Sequence, residues 1–530
     1  MNQYVDDFLK KVLEQVRYRK IHPFLAYELN DHIECLKDDY MEEGMREEEA
    51  YRKAVAQMGD AECIGEELHR MHKPHMEWSI LALVLGLLGI GVFILSIYFS
   101  QYMIGESEIN FFAKHLICIG LSSIGFFVMY FLDYQRLDQY THIFYGIGIG
   151  TLIAVEKIGL ELNGMKRFIQ IGPISIQGAV LAVTFFILAG VGYVRRYANK
   201  GIKGYIRLGI LGSIAVYLVG RLEWILALIL VGVLSVTFIA YIISTEYKRN
   251  KKRVLICTGS IFLSVLLGTT LMILGSDYRM ERLKAWINPN LDPMGDGYTI
   301  ARIRTMCEQA EFIGSRGIES VELFYEDIGS RFFPIANAIS DYSFNFIIGK
   351  MGTLVAFIVA LVVGVLIIRC FKSISRIREA YGRLLAISII TYLGSRFIVS
   401  IGSSMGLIPG HSSMPFVSYG SSYLIMDMIL MGLFLSIYRR KDICPENLIK
   451  MGNFTDDKIN RSMYTVSDKS WQFLRHVLMF DDENEDIEMD DITFDELENQ
   501  MTQREMIEKT VEFLQESDEV ESIQVVFKKD

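Results

Sequence analysis

Pro409-Gly410-His411-Ser412-Ser413-Met414-Pro415-Phe416-Val417-Ser418-Tyr419-Gly420-Ser421-Ser422 lies between two apolar runs, each long enough to cross a bilayer. Backbone that is neither helical nor paired cannot face lipid, because its amides and carbonyls would have no partners. It persists only where protein buries it or where it lines a polar cavity. The segment therefore predicts a helical membrane protein with a polar cavity beside its last spans, and that cavity is where chemistry is to be sought.

Working outward, a helix needs about 20 apolar residues to cross the hydrocarbon core. Ten candidate spans follow, approximately Trp78 to Phe99, Phe112 to Leu132, Ile143 to Leu162, Ala179 to Val194, Ile206 to Val219, Leu222 to Ile243, Val254 to Gly275, Phe346 to Ile368, Leu384 to Met405 and Ser422 to Ile437. The fourth and fifth are short, and only Gly220 and Arg221 separate the fifth from the sixth. The expected fold class is all-α: a polytopic membrane domain of about ten helices over residues 76–440, a small cytoplasmic helical domain over 1–75, and an acidic cytoplasmic tail over 441–530.

Apolar residues make up 51% of the chain and mean hydropathy is +0.28, yet the net charge is −10. Charge is partitioned: both ends are acidic and the middle is basic. Arg195, Arg196, Lys200, Lys203 and Arg207 follow span four, and Lys248, Arg249, Lys251, Lys252 and Arg253 follow span six. Arg369, Lys372, Arg376, Arg378 and Arg383 follow span eight, and Arg439, Arg440 and Lys441 follow span ten. Basic loops stay in the cytoplasm, which puts both termini there. The segments Gly164 to Gln177, Ser276 to about Asn345 and the Pro409 loop then lie outside and are expected to converge on one outer-face cavity. The seven cysteines show no CxxC spacing, so neither a zinc site nor a disulfide framework is indicated. The charged, helix-patterned first 75 residues do not read as a cleavable signal peptide. No nucleotide loop, redox motif or nucleic-acid signature is present.

Several segments together resemble the SEDS family (shape, elongation, division and sporulation; the FtsW, RodA and SpoVE proteins). Ser400-Ile401-Gly402-Ser403-Ser404-Met405-Gly406-Leu407-Ile408-Pro409 followed by Pro415-Phe416-Val417-Ser418-Tyr419-Gly420-Ser421-Ser422 resembles N-I-G-x-x-x-G-L-L-P…P-F-x-S-Y-G-G-S-S. Ser400 stands for Asn and Ser421 for the second Gly. Asn163-Gly164-Met165-Lys166-Arg167-Phe168-Ile169-Gln170-Ile171-Gly172 resembles N-G-x-x-R-W-I-x-L-G, and Gln177 follows at the family's spacing. The Gln-Pro-Ser-Glu continuation is replaced by Gly178-Ala179-Val180, and Val183 occupies the position of a common Lys. No Pro-Asp-Leu-Gly element is recognisable, Glu223 being a loose substitute. Arg282 to Tyr298 resembles R-x-x-x-F-x-N-P…D-P-x-G-x-G-Y. Asp341-Tyr342-Ser343-Phe344 with Gly352 resembles D-F-x-F…E-E-x-G, although Gly349 and Lys350 replace the two glutamates.

The resemblance implies a peptidoglycan glycosyltransferase that polymerises lipid II at the outer face of the bacterial cytoplasmic membrane, in division, elongation or sporulation. It implies a class B penicillin-binding protein as partner, and a divalent cation such as Mg²⁺ or Mn²⁺ with no legible ligand set. Transfer of a glycan from an undecaprenyl pyrophosphate carrier to a sugar hydroxyl calls for a general base and for cations facing the leaving group. Asp341 aligns with the acid on which the family's activity depends; read locally, it is equally an N-cap for span eight. Arg167, Arg282, Arg302 and Arg304 are candidate pyrophosphate contacts, guanidinium forks suiting phosphate oxygens, or else solvated loop charges. Ser418, Tyr419 and Gly420 join them as substrate-binding candidates through the signature. His411 either assists proton transfer or is an exposed loop histidine.

Arg396 and Asp427 lie inside spans nine and ten. A charge within a membrane helix costs roughly 2.5–3.5 kcal/mol on insertion scales, so the two are expected to pair as a structural element, with substrate contact as the alternative. In the N-terminal region Val5, Phe8, Leu9, Val12 and Val16 form one helical face, and Leu25, Leu29, His32, Ile33 and Leu36 another. Gly44 precedes a helix that Gly59-Asp60 ends. With Glu28-Leu29-Asn30-Asp31-His32 and Met58-Gly59-Asp60, this region resembles the permease-prefix domain. His32 with Asp31 and Glu34 reads as charged surface, a metal site being the alternative. The acidic run Asp481 to Asp491 reads as solvated linker, and the tail and prefix as modules for cytoplasmic partners. Two further functions stay open on sequence alone: a non-catalytic lipid II-binding scaffold or sensor, and a flippase for lipid-linked precursor.

Overall fold

The computed structural model describes residues 3–72, 76–102, 106–162, 165–172, 174–244, 275, 277–291, 297–314, 339–377 and 379–441. Span seven, the Asn163-Gly164 pair, the centre of the Arg282 to Tyr298 motif and the acidic tail fall wholly or largely outside these residues.

The N-terminal region is four helices, α1 Gln3–Gln15, α2 His22–Glu42, α3 Glu47–Met58 and α4 Ala61–His72. Val5, Phe8, Leu9 and Val12 on α1 close against Leu29 and Ile33 on α2, Ala54 on α3 and Ala61 on α4, a core assembled from i, i+3, i+4 stripes. Gly44 (φ 89°) and Gly59 (φ 93°) turn the chain in left-handed backbone that disfavours a side chain. His32 is exposed and does not share the buried face of Leu29 and Ile33, a correction to its expected place.

The membrane domain contains α5 Trp78–Tyr102, α6 Glu106–Phe131, α7 Thr141–Ile158, α8 Gly178–Tyr197, α9 Ile202–Leu222 and α10 Trp224–Ile243. After these come two short helices, α11 Asp277–Ile287 and α12 Tyr298–Glu308, then α13 Ser343–Met351, α14 Thr353–Ile374, α15 Ala380–Ser404 and α16 Ser421–Arg439. Among the described residues eight helices are long and apolar enough to cross a membrane. The third expected span, α7, has 18 residues with His142 near its start and Glu156 and Lys157 near its end, and is not one of the eight. The fourth and fifth spans are full length, because α8 and α9 extend into polar residues that hydropathy alone trims. The fifth and sixth break at the single residue Glu223, whose backbone is extended, rather than at Gly220-Arg221.

Helices α8 and α16 are the most enclosed, with 78% of each apolar window buried, while α6 and α9 expose most of theirs. Close backbone approach joins α6 to α16: a side chain at Gly432 would strike the Phe126 carbonyl, and one at Gly125 would lie 2.9 Å from Ile429. Small residues serve this purpose where helices pack in lipid.

Two features depart from ten continuous helices. A three-stranded antiparallel sheet, β1 Leu160–Leu162, β2 Met165–Ile171 and β3 Ile174–Gln177, occupies the expected outer loop, with Phe168 opposite Gln177 and Ile171 opposite Ile174. Span eight is interrupted at Gly352 (φ 95°), so α13 and α14 are separate helices. A side chain at Gly352 would also lie 2.7 Å from the Phe312 carbonyl, so both conformation and space demand glycine.

Candidate active site

The Pro409 loop is held by its own serines. The Ser418 hydroxyl accepts from the Met414 amide at 2.7 Å and pairs with the Ser343 hydroxyl at 2.7 Å, tying the loop to the start of α13. The Tyr419 amide donates to the Ile339 carbonyl at 3.1 Å. Ser422 accepts from the Gln177 amide at 2.7 Å and donates to the Ser175 carbonyl at 3.0 Å, clipping the loop's end to β3. Phe416 adopts φ 63°, a left-handed conformation rare for a bulky residue and sustained here by its burial. Ser418 is thus a buried fastener of the loop. Gly420 is extended and opens α16, and the Tyr419 ring packs 5.4 Å from that of His115.

These bonds bring three separate segments to one place. Asp341 lies in the turn before α13, with an Oδ2 oxygen 3.8 Å from His411 Nε2; the two side chains are 26% and 34% exposed, so the pair is partly accessible. The N-cap of α13 is Tyr342, which makes no side-chain cap, and α14 begins only at Thr353. The capping role for Asp341 at the head of span eight is therefore corrected: the residue stands one position outside the cap. Burial pushes the Asp341 carboxyl above its ordinary value, opposed by positive charge first from His411 and then from Arg167. Burial and then the Asp341 charge push the Tyr342 hydroxyl upward, with Arg282 acting against them. Arg167 thus acts on the carboxylate and Arg282 on the neighbouring Tyr342 hydroxyl.

Arg167 projects from β2 and donates to Glu223 at 3.0 Å. Gln177 Nε2 donates to the same Glu223 oxygen at 3.2 Å. The loose substitute is thus the acceptor that fixes both motif residues. Sequence reasoning undervalued it because its neighbours lie far away in the chain. Arg304 donates to the Trp286 carbonyl at 2.8 Å, and Trp286 Nε1 donates to the Gly406 carbonyl at 3.1 Å. Arg304 is accordingly neither a solvated loop charge nor aimed wholly at a ligand: it fastens α12 to the end of α11. Arg302 is half-buried on α12, and Arg282 is exposed on α11.

Deeper in the bundle, Arg396 and Asp427 form an ion pair whose side chains are 0% and 1% exposed. Arg396 Nη2 also donates to the carbonyl and hydroxyl of Ser413, at 2.8 and 2.9 Å. The guanidinium lies 4.2 Å from the Tyr423 ring centre. Neither Ser413 nor Tyr423 carried a local signal for this role.

Mg²⁺ and Mn²⁺ take several oxygen ligands. Among the described residues no three His, Cys, Asp or Glu side chains gather to offer a metal site, and the Arg167 guanidinium acts on Asp341 as a positive charge. The described residues do not fit the implied cation.

The family model described as Cell cycle protein (FtsW/RodA/SpoVE) matches residues 75–443. A probable peptidoglycan glycosyltransferase FtsW of Pseudoalteromonas translucida is 27% identical over 336 residues, covering 62% of this chain and 80% of that protein. Stage V sporulation protein E of Bacillus subtilis is 25% identical over 374 residues, 68% of this chain and 95% of its own length. Among solved structures, a chain of a peptidoglycan synthase complex that coordinates polymerization and crosslinking aligns with TM-score 0.55 and 22% identity, covering 69% of this chain and 98% of that one. A mutant of the rod shape determining protein RodA from Thermus thermophilus aligns with TM-score 0.50 and 18% identity over the same shares. These likenesses extend to the fold.

Proposed function

The chain belongs to the FtsW/RodA/SpoVE family of cell cycle proteins, and from that premise we propose that it is a peptidoglycan glycosyltransferase polymerising lipid II at the outer face of the cytoplasmic membrane. The observation that carries the reading is the partly exposed Asp341 carboxylate in the turn before α13, beside His411 of the Pro409 loop and within the field of Arg167 on β2. Peptidoglycan glycosyltransferases among its relatives support the reaction class. The basic loops after spans four, six, eight and ten support an outward placement of Asp341 and cytoplasmic termini.

In this reaction the 4-hydroxyl of one lipid-linked disaccharide attacks the anomeric carbon of the glycan on its diphosphate carrier. Asp341 takes the hydroxyl proton as the new glycosidic bond forms. The bond between the anomeric carbon and the diphosphate oxygen breaks, and the undecaprenyl diphosphate leaves with the electron pair. Arg282, Arg302 and Arg167 stand as the candidate cations for that diphosphate; Arg304 supports the wall they stand on. A raised carboxyl value brings the base closer to working pH, which favours proton acceptance in the transition state. A class B penicillin-binding protein is the proposed membrane partner.

The test is purified protein given lipid II, with glycan chains resolved on a gel. A ladder of polymer is expected. Folded protein that binds lipid II without polymer would contradict the proposal in favour of a scaffold, and transfer of lipid across a proteoliposome without polymer would do so in favour of a flippase.

A further inference from the structure

Arg396 divides its guanidinium between two structures. Nη1 meets Asp427 on α16, whereas Nη2 takes both the carbonyl and the hydroxyl of Ser413 in the Pro409 loop. A planar fork held this way fixes orientation as well as distance. Ser413 lies two residues from His411, which lies beside Asp341. The later half of the loop is secured by Ser418 and Tyr419. Among the described residues no backbone-to-backbone hydrogen bond fastens residues 410–413. The bonds from Arg396 tie the end of that stretch, at Ser413, to α15.

Resting on the glycosyltransferase reading, we propose that Arg396 is a positioning residue for the reaction, clamping residues 410–413 so that His411 stays beside Asp341, with Asp427 as its counter-ion. The ion pair offsets the buried charge, and the bonds to Ser413 carry its order into the loop beside Asp341. The two roles are separable, because a lysine can neutralise Asp427 but cannot reproduce the fork.

Three variants and one activity-independent measurement test this. Arg396→Lys is expected to lower kcat about tenfold with the KM for lipid II changed by less than about threefold, a split that points to lost alignment rather than lost binding. Arg396→Gln with Asp427→Asn should behave alike, since no buried charge is left unpaired. Ser413→Ala removes one of the two loop bonds without touching either charge; it should give the same split at smaller amplitude and decides the matter should the charge variants not fold. In parallel, the rate of oxidative cross-linking between cysteines introduced by Asp341→Cys and His411→Cys, read by mass spectrometry of linked peptides, should fall several-fold when Arg396→Lys is added. Wild-type kcat in the folded variants, or an unchanged cross-linking rate, would overturn the clamp. Absence of polymer from the unmodified protein would instead overturn the glycosyltransferase reading, leaving the cross-linking rate to decide the clamp alone.

Discussion

Two regions of the bundle pair a carboxylate with a basic side chain, and they differ in nearly every respect that matters for chemistry. Arg396 and Asp427 are sealed from solvent, in direct contact, and braced by Ser413 and Tyr423. Asp341 and His411 are each about a quarter to a third exposed and sit 3.8 Å apart, beyond hydrogen-bond length. A third pair, Arg167 and Glu223, is intermediate, with exposures of 25% and 11%. The gradient runs from a pair closed off from solvent to one with a carboxylate accessible to another molecule. A charge closed off from solvent holds structure; one that other molecules can reach is able to take a proton from them.

The steepest test of this contrast is at the sealed end. Arg396→Gln alone leaves the Asp427 carboxylate buried without its cation and should destabilise the protein by roughly 3–5 kcal/mol, read as a lower melting temperature in detergent. Adding Asp427→Asn should recover much of that loss, and additive losses would break the contrast. At the intermediate pair, Glu223→Gln keeps an acceptor for Arg167 and Gln177 while removing the charge. Partial exposure limits the cost to about 1 kcal/mol, measured in the same melt. At the open pair the effect falls on pH dependence. The base works only when ionised, so the acidic limb of the pH–rate profile follows the Asp341 carboxyl. His411 opposes the upward push of burial, and His411→Gln should therefore move that limb to higher pH with little change in melting. A limb that stays in place, or moves down, would separate His411 from the carboxylate.

The sequence made the site more legible than its architecture. Proline, glycine and serine in residues 409–422 announce irregular backbone through local chemistry, and the structure makes that segment a serine-pinned crossing. The break at Gly352 was invisible because hydropathy averages over a run and is blind to a single positive φ. The β1–β3 sheet replaces an expected loop, and within Met165–Ile171 only Ile169-Gln170-Ile171 alternates, too short a stretch to announce a strand. Helix α4 was missed for a similar reason: Gly59-Asp60 read as an end, although the Asp60 carboxylate accepts from the Cys63 amide and starts the next helix. Glu223 and Ser413 acquire their roles only through partners 56 and 17 residues away, which no local pattern announces.

The central claim is that the Asp341 carboxylate performs chemistry, and Asp341→Asn tests it most directly when polymerisation of lipid II and thermal melting are measured on the same preparation. Asparagine preserves volume but cannot take the proton, so glycan chains should vanish while lipid II binding persists. Because the folded state raises the carboxyl above its unfolded value, ionisation costs stability as pH rises through the folded-state value. The uncharged variant should therefore melt no lower than wild type at neutral pH. Loss of polymer with unimpaired melting is the expected result; wild-type polymer from the folded Asp341→Asn protein would contradict the account.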